Sequence, residues 1–361
     1  MRILHIDEQT GWRGGEQQAS YLIRGLAARG HEAVLAGRRG SPFLTRDHGV
    51  APVARIEAGF RGEADLVTAW RLARSIGRLG IDVVHAHTSH AHAMAWLARG
   101  MGGHAPFVLS RRTDFRPKSN RVNRWKYAAP DRIIAISSFI GRVLLDFGVQ
   151  EDRLRIVHSG IDLARFDVDP LARSALGIPE DAALIGNVAA LVGHKDQATL
   201  VDAMARVVRD VPKAHLVIAG EGPLREPLER QTAALGLDGV VHLPGYRQDV
   251  PSLLRALDVF AMPSKEEGLG TSVLDAMACG VPVAATAGGG IPEMVHHEET
   301  GLLSPVGNAD SLAAHLVRLL RNRDEAHRFA ENARRLLEER FTVDRMVEGN
   351  LRVYEEVLGE A

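Results

Sequence analysis

Apolar residues follow two alternating patterns along the 361 residues of this chain. Short, uniformly apolar runs such as Val259–Met262 are typical of buried strands in a parallel sheet. Longer segments with apolar residues at helical spacing follow them, as between Thr271 and Cys279, where Gly280 and Pro282 then end the helix. Strands that alternate with helices in this way predict an α/β fold with parallel sheets covered by helices.

The same two patterns predict the other elements. Strands are predicted at residues 2–7, 32–37, 81–87, 107–110, 133–136, 183–189, 216–219, 281–285 and 302–303, with a short strand and loop at 240–246. Helices are predicted at 16–29, 65–79, 138–147, 271–279 and 343–358, with one that ends at 209 and others that begin at 309 and 325. Ser137 and Ser138 are N-cap candidates. The three glycines at 288–290, followed by Ile291 and Pro292, predict one further helix.

The length exceeds that of one ordinary domain and predicts two. We expect a first domain over residues 1–165, a second over 166–341 and a C-terminal helix over 342–361, with a linker between 166 and 179. The single cysteine, Cys279, lies in an apolar helix and is interpreted as a packing residue in a reducing compartment. We expect a cytoplasmic protein, because no secretory segment and no run of 18 apolar residues is found.

The net charge of −1 conceals an asymmetry between the two halves. Up to Arg165 the chain carries 25 Lys and Arg against 15 Asp and Glu, whereas the remainder carries 19 against 30. A basic first half favours anionic partners. The acidic second half, without a zinc-finger or RNA-binding signature, argues against nucleic acid.

A glycine turn at residues 268–270 separates one strand from the helix that begins at Thr271. Such a turn leaves backbone N–H groups beside a helix N-terminus, which favours an anion such as phosphate. Glu267 precedes the turn and Asp275 lies inside the helix. Because a carboxylate suits two neighbouring sugar hydroxyls, a phosphate site between two carboxylates predicts a nucleotide-sugar site.

These residues resemble the donor-binding region of the retaining GT-B glycosyltransferases of family GT4, and the resemblance covers nearly the whole chain. The family's Glu, Gly-Phe-Gly and second Glu are matched by Glu267, the Gly-Leu-Gly turn at 268–270 and Asp275. Residues 14–16, Gly-Gly-Glu, are similar to the family's Gly-Gly-x-Glu turn. The resemblance implies two Rossmann-like parallel-sheet domains that face a cleft, with a C-terminal helix crossing back to the first domain.

The resemblance also implies the donor site and the reaction, a metal-independent transfer of a hexose with retention. The family's diphosphate-binding lysine corresponds to Lys195, but Ala190 stands where the family has an arginine. We therefore expect another cation, Arg247 or Arg111, to substitute. The implied donor site contains Gly14, Gly15, Lys195, Gly220, Glu267, Gly268, Leu269, Gly270, Thr271 and Asp275. The implied catalytic residues are His87, Lys195 and Glu267.

Four histidines, His85, His87, His90 and His92, lie close together in the sequence. Zinc ligands usually lie one helical turn apart or on separate elements, and no cysteine or carboxylate is near these histidines. We therefore expect structural or acceptor-binding histidines and no metal. The family's histidine at this strand end corresponds best to His87.

Residues 111–126 form the most basic segment, with seven positive residues, one negative residue and two aromatic residues. Three interpretations stay open: a solvated face, a site for an anionic acceptor, and a contact with an anionic membrane surface. The first residues follow a strand end, where ligands of parallel sheets bind, and there binding is favoured. The predicted acceptor site contains Glu16, His87, Arg111, Arg112 and Asp114. The predicted membrane contact runs from Arg116 to Lys126.

Together these features predict a hexosyltransferase that uses a UDP- or GDP-linked sugar. The acceptor would be an anionic or lipid-linked glycan, as in lipopolysaccharide or cell-envelope glycan synthesis, with the enzyme peripheral at the inner membrane face. One alternative is a GT-B sugar-nucleotide epimerase, which would turn over a nucleotide sugar without an acceptor. The other is a degenerate nucleotide-sugar-binding protein, suggested by Ala190 and Asp275.

Overall fold

The first unit of the protein contains a seven-stranded parallel sheet. The computed structural model describes residues 1–113 and 116–359. The strands are β1 (Arg2–Ile6), β2 (Glu32–Arg38), β3 (Ala54–Ala58), β4 (Val83–Ala86), β5 (Phe107–Arg111), β6 (Arg132–Ala135) and β7 (Leu154–Ile156). They lie in the order β3-β2-β1-β4-β5-β6-β7. The order reverses between β1 and β4, and in such sheets ligands bind beyond the carboxyl ends of the strands at this point.

Seven helices of the described residues belong to the same unit. They are α1 (Gly14–Ala27), α2 (Pro42–Thr45), α3 (Leu66–Leu79), α4 (Ser89–Gly100), α5 (Arg121–Tyr127), α6 (Ser138–Phe147) and the C-terminal α13 (Val343–Leu358). α13 packs against α1 and the sheet through Met346, Val347 and Tyr354, which join Leu22 and Val83 in one apolar core. Ser137 is the N-cap of α6, as predicted, since its side chain accepts a hydrogen bond from the backbone of Ile140 at 3.1 Å.

The second unit contains a six-stranded parallel sheet. Its strands are β8 (Ala183–Val188), β9 (Ala214–Ala219), β10 (Val241–Gly245), β11 (Val259–Met262), β12 (Val283–Thr286) and β13 (Leu302–Ser304). They lie in the order β10-β9-β8-β11-β12-β13. The helices are α7 (Gln197–Asp210), α8 (Arg225–Ala234), α9 (Val250–Arg255), α10 (Thr271–Ala278), α11 (Ala309–Arg321) and α12 (Arg323–Arg340). Strands β11 and β12 are wholly buried, which explains their uniformly apolar sequences.

The chain passes between the two units after Gly160 and again after Thr342. The first unit comprises Met1–Gly160 and Val343–Ala361, and the second comprises Ile161–Thr342. The segment expected to be a linker, 166–179, instead packs on the second unit. The backbone N–H of Leu171 donates to the carbonyl of Ser252 at 2.8 Å, and Arg173 pairs with Asp258 at 2.9 Å.

Other differences from the sequence predictions concern short or polar elements. Strand β3 and helix α4 were not predicted, because β3 is five residues long with one large apolar side chain, Ile56, and because four alanines weaken the apolar pattern of α4. The helix predicted after the glycines at 288–290 is wrong, because the structure has only a single 3₁₀ turn there, Ile291–Glu293. Among the described residues, no helix is both long enough and apolar enough to cross a membrane.

The packing of α13 gives a test of the first unit. Met346→Ala should lower the free energy of unfolding of this unit by about 2–4 kcal/mol, because Met346 is 3% exposed in the core. The matched variant Met101→Ala should change it by less than about 0.5 kcal/mol, because Met101 is 39% exposed. Hydrogen exchange of core amides in each variant measures both values. An equal decrease in the free energy of unfolding for the two variants would contradict the packing described for α13.

Candidate functional site

A cavity of about 400 Å³ opens at the carboxyl edge of the sheet in the first unit. It lies where β1, β4 and β5 end and where α1 and α4 begin. Six of the residues that line it are Gly15, Glu16, His87, His90, Arg111 and Arg112. Four of the five residues predicted for the acceptor site therefore share one cavity. The fifth, Asp114, lies outside the described residues.

Helix α1 begins at the edge of this cavity with Gly14 and Gly15. Glu16 is only 5% exposed, and its Oε2 accepts a hydrogen bond from the backbone N–H of Arg13 at 2.6 Å. Its carboxylate therefore caps the helix, where the helix dipole favours a negative charge. The ideal Cβ position at Gly15 lies 4.0 Å from Arg112 Cδ, so the helix start approaches the arginine closely.

The basic segment divides into residues that line the cavity and residues that do not. Arg111 is 8% exposed, and Arg112 donates from Nη1 to Ser159 Oγ at 3.3 Å. Burial lowers the pKa of Arg112 to about 10, although the nearby Asp7 opposes this shift. Lys126, in contrast, is buried, and its Nζ lies 2.9 Å from Glu63 Oε1. Lys126 is therefore not available for the predicted membrane contact.

Three buried imidazoles lie on one face of the sheet beneath the cavity. His5 of β1 is the register partner of His85 of β4, and His87 follows the end of β4. His5 Nδ1 lies 3.1 Å from His87 Nε2. His85 contacts hydroxyls through both nitrogens, Tyr354 at 2.6 Å and Ser110 at 2.8 Å. Burial lowers the pKa of all three imidazoles, that of His5 to about 3, so they are neutral at pH 7.

The three imidazoles are also the group of described residues best placed to hold a metal. One nitrogen of each lies within 4.8 Å of the others. However, both nitrogens of His85 already contact hydroxyls, and His5 and His87 bond to each other. A metal would have to displace these hydrogen bonds. Of the other two histidines considered from the sequence, His90 approaches Glu8 at 3.2 Å and His92 approaches the carbonyl of Lys126 at 2.8 Å.

Two buried carboxyl groups at the end of β1 were not selected from the sequence. Asp7 is fully buried, and burial raises its pKa to about 8. Glu8 is 2% exposed and accepts hydrogen bonds from the Thr88 hydroxyl and the backbone N–H of Ala91, at the start of α4. The two adjacent acidic residues after an apolar strand were the available signal, because a strand end in this topology faces a ligand site.

A partly buried ion pair lies at the corresponding edge of the second sheet. Lys195 Nζ lies 2.6 Å from Glu267 Oε1, and the Ser264 hydroxyl donates to the same oxygen at 2.8 Å. Glu267 is 5% exposed. Lys195 ends a 3₁₀ turn that follows β8, whereas Glu267 follows β11. The structure thus brings together two of the three residues predicted to be catalytic.

Glycines place the backbone around this ion pair. At Gly289, where φ is +62°, a Cβ would collide with the backbone of Glu267, and at Gly288 it would collide with the carbonyl of Ser264. The turn predicted to begin a helix therefore supports the loop that carries Glu267. A Cβ at Gly220, predicted to bind the donor, would likewise collide with the carbonyl of Ala189. Gly220 thus sets the path of the loop before Lys195.

The glycine turn itself leads into α10 as predicted. Gly270 is the N-cap with φ +90°, and Thr271 is the first helical residue. Leu269 is 1% exposed and packs inward, so its side chain is structural. Asp275 lies one turn further along α10 and is half-buried. Burial raises its pKa to about 6, against the opposing charge of Arg165.

Of the two cations expected to compensate for Ala190, Arg247 lies in the second unit and pairs with Asp249 at 2.8 Å. Arg111, the other candidate, lines the cavity of the first unit. Lys265, which the sequence did not single out, lies beside the ion pair: its backbone N–H donates to the carbonyl of His194 at 2.8 Å. Its ammonium group lies 3.1 Å from Asp196 and is 55% exposed.

Two family models match this chain. The model described as glycosyl transferases group 1 matches residues 168–336, and the model described as Glycosyltransferase Family 4 matches residues 12–165. The D-inositol 3-phosphate glycosyltransferase of Saccharomonospora viridis is 30% identical over 305 residues, 77% of this chain and 70% of the relative. The lipopolysaccharide core biosynthesis glycosyltransferase LpsE of Rhizobium meliloti is 25% identical over 98% of both chains.

A solved structure supports the fold. The chain is similar to Anabaena Alr3699/HepE, whose crystal structure is in complex with UDP and glucose, with a TM-score of 0.85. The two share 22% sequence identity over 99% of this chain and 100% of the other. This similarity confirms the fold prediction, two Rossmann-like parallel-sheet domains of the GT-B class.

The pKa of Asp275 gives a pH test of the donor site. If its carboxylate accepts hydrogen bonds from ribose hydroxyls, a nucleoside diphosphate binds the charged form and lowers this pKa. Because the free carboxyl has a pKa of about 6, affinity should fall below pH 6, by up to about tenfold per pH unit. Calorimetric titration with UDP, GDP and ADP between pH 5 and 8 measures this dependence.

Matched variants identify the titrating group. Asp275→Asn should bind more weakly at pH 7 and lose the fall below pH 6, whereas Asp275→Glu, which has the family's residue, should keep it. A profile that is the same in Asp275→Asn and in the unmodified protein would show that another group titrates.

Proposed function

This chain belongs to Glycosyltransferase Family 4, and we propose the following substrates and stereochemistry for its reaction. It transfers a hexose from a UDP- or GDP-linked sugar to a hydroxyl of an anionic or lipid-linked glycan. The anomeric configuration is retained, and no metal takes part. The second unit binds the donor, and the first unit binds the acceptor.

The ion pair between Lys195 and Glu267 is the observation that supports the donor part of this proposal. An ammonium group stabilises the negative charge that develops on a leaving diphosphate. The Glu267 carboxylate accepts hydrogen bonds from the hydroxyls of the transferred sugar and stabilises the oxocarbenium-like carbon. Lys195 and Ser264 both contact Oε1 of this carboxylate, and we assign the sugar contact to the other oxygen, Oε2. The backbone at residues 268–270 and Thr271 binds the diphosphate, and Asp275 binds the ribose.

We also propose that no metal takes part at the site of Lys195 and Glu267. A divalent cation at a diphosphate is normally held by carboxylates. Over residues 1–113 and 116–359, the one group of metal-ligating side chains is the histidine trio of the first unit, and no such group surrounds Lys195. We infer that Lys195 and Lys265 together supply the positive charge, with Lys265 in place of the family's missing arginine.

The charges of the first-unit cavity support an anionic acceptor. Arg13, Arg111 and Arg112 line it, and only two carboxylates, Glu8 and Glu16, do so among the described residues. Both carboxylates are already bonded to backbone N–H groups. Three arginines against two carboxylates leave the cavity lining with a net positive charge, and a guanidinium can form two parallel hydrogen bonds to a phosphate or carboxylate of the acceptor. The similarity to LpsE, a lipopolysaccharide core biosynthesis glycosyltransferase, supports an envelope glycan.

Helix α5 supports attachment of the enzyme to the inner face of the membrane. Trp125 is 58% exposed and Val122 is 53% exposed. The Arg121 guanidinium lies 5.6 Å from the centre of the Trp125 ring, and Arg124 lies on the same helix. Exposed tryptophan with flanking arginine is typical of protein surfaces at anionic membranes. A membrane contact would bring the cavity close to a lipid-linked acceptor.

The donor proposal is tested at Lys195. Lys195→Ala should lower kcat by roughly 100-fold, because the charge that stabilises the leaving diphosphate is lost. The assay is release of nucleoside diphosphate from UDP- and GDP-sugars with an envelope-glycan acceptor, with and without EDTA. EDTA should leave the rate unchanged. A rate that disappears with EDTA and returns with Mg²⁺ or Mn²⁺ would contradict the metal-independent mechanism.

Lys213→Ala is the matched control. Lys213 precedes β9 at the amino edge of the sheet, opposite the proposed site, and is exposed. This variant should keep full activity. If Lys195→Ala were as active as Lys213→Ala, the proposed role of the ion pair would be wrong.

The membrane proposal is tested with vesicles. Arg121→Glu combined with Arg124→Glu should weaken binding to phosphatidylglycerol vesicles by at least roughly 30-fold, because the loss of two basic residues alone removes about 2 kcal/mol and the new negative charges add repulsion. Trp125→Gln should also weaken it. Arg39→Glu, at an exposed arginine of the same unit, is the control and should have a smaller effect. Vesicle co-sedimentation measures the binding, and equal binding by all variants would contradict attachment through α5.

A further inference from the structure

The side chain of His87 has one partner that the family motif does not include. His5 lies on β1, 82 residues earlier in the chain, and the two rings are nearly parallel, with centroids 5.3 Å apart and planes 14° apart. Their nitrogens His5 Nδ1 and His87 Nε2 lie 3.1 Å apart, which is hydrogen-bond distance. His5 is fully buried, and His87 is 4% exposed.

The hydrogen bond between two neutral imidazoles links their tautomers. A neutral imidazole carries a hydrogen on one nitrogen and a lone pair on the other. A single hydrogen therefore lies between His5 Nδ1 and His87 Nε2. If His5 donates it, the other nitrogen of His87, Nδ1, carries a hydrogen; if His87 donates it, Nδ1 has a lone pair. The tautomers of His5 and His87 are thus linked, and together they determine whether His87 Nδ1 can donate a hydrogen bond or accept one.

The other neighbour of His87 does not impose a tautomer. The ring of His85 lies 4.1 Å from that of His87, but both its nitrogens face hydroxyls, of Tyr354 and Ser110. A hydroxyl rotates to donate or to accept, so it permits either tautomer. Within the part of the chain that the structure describes, the buried nitrogens His87 Nδ1 and His5 Nε2 have no partner. His87 lines the acceptor cavity, and a substrate group that contacts Nδ1 would satisfy this buried nitrogen.

We propose that His5 is a positioning residue that holds the ring of His87 in its orientation and links the tautomers of the two rings, and so affects the hydrogen-bonding role of His87 Nδ1 toward the substrate. His5 itself does not contact the substrate, because it is fully buried beneath the cavity wall and does not line it. The inference goes beyond the proposed function in assigning a role to a residue of β1. Its kinetic consequence rests on the proposed role of His87, but the hydrogen bond itself does not.

Nuclear magnetic resonance of ¹⁵N-histidine in the ligand-free protein tests the hydrogen bond directly. Protonated and bare ring nitrogens have separate ¹⁵N shifts, and a His87→Gln variant assigns the His87 signals. The two ring nitrogens of His87 should have different ¹⁵N shifts in the unmodified protein and in His5→Leu, because loss of the partner at Nε2 changes the balance between the two tautomers. An unchanged His87 pattern in His5→Leu would overturn the proposal, whatever the enzyme's substrates are.

Kinetics then separate positioning from simple loss of packing. His5→Leu should lower kcat roughly tenfold, the effect of one hydrogen bond. His5→Asn places an amide where Nδ1 lies and should restore kcat to within about threefold of the unmodified protein. His48→Leu removes another buried histidine, which contacts Ser20 and the carbonyl of Phe43, and should leave kcat and the His87 signals unchanged.

The outcomes distinguish this inference from the proposed function. Equal loss of kcat in His5→Leu and His5→Asn, with both variants folded by thermal melting, would overturn the positioning role. A changed His87 tautomer without any effect on kcat would support the hydrogen bond but contradict the role of His87 in transfer.

Discussion

The carboxylate of Glu267, which is 5% exposed, determines the arrangement of the proposed donor site. A buried charge is costly without a partner, and Glu267 has two, the ammonium group of Lys195 and the hydroxyl of Ser264. These partners follow different strands, so the ion pair joins two loops at the carboxyl edge of one sheet. The glycines at 288–290 allow a third loop to approach the backbone of the same segment. The buried charge of Glu267 therefore requires these loops to lie close together, and the glycines permit that close approach.

The carboxyl edge of the sheet in the first unit also contains buried polar groups, but they are stabilised differently. Four of its buried groups are neutral at pH 7, because burial lowers the pKa values of the three imidazoles and raises that of Asp7 to about 8. Hydrogen bonds between rings and hydroxyls replace ion pairs there. The C-terminal helix α13 contributes to this network through Tyr354, so the last helix of the chain supports the first strand.

The sequence predicted the strands of both sheets well because buried parallel strands are uniformly apolar, as Val259–Met262 shows. It also predicted that Lys195 and Glu267 belong to one site, through a family resemblance. It did not predict that they form an ion pair, because the distance between residues on different strands depends on sheet order. For the same reason it missed His5, whose importance comes only from its register with β4. The sequence also suggested that Lys126 is a surface cation, whereas in the structure it is buried and pairs with Glu63.

The most direct test of the central claim is a crystal structure of the protein with a bound nucleoside diphosphate. The account predicts that the terminal phosphate lies within hydrogen-bond distance of Lys195 Nζ and of the backbone at residues 268–271, with the ribose at Asp275. A nucleotide bound elsewhere, with the ion pair between Lys195 and Glu267 untouched and the glycine turn unoccupied, would contradict it.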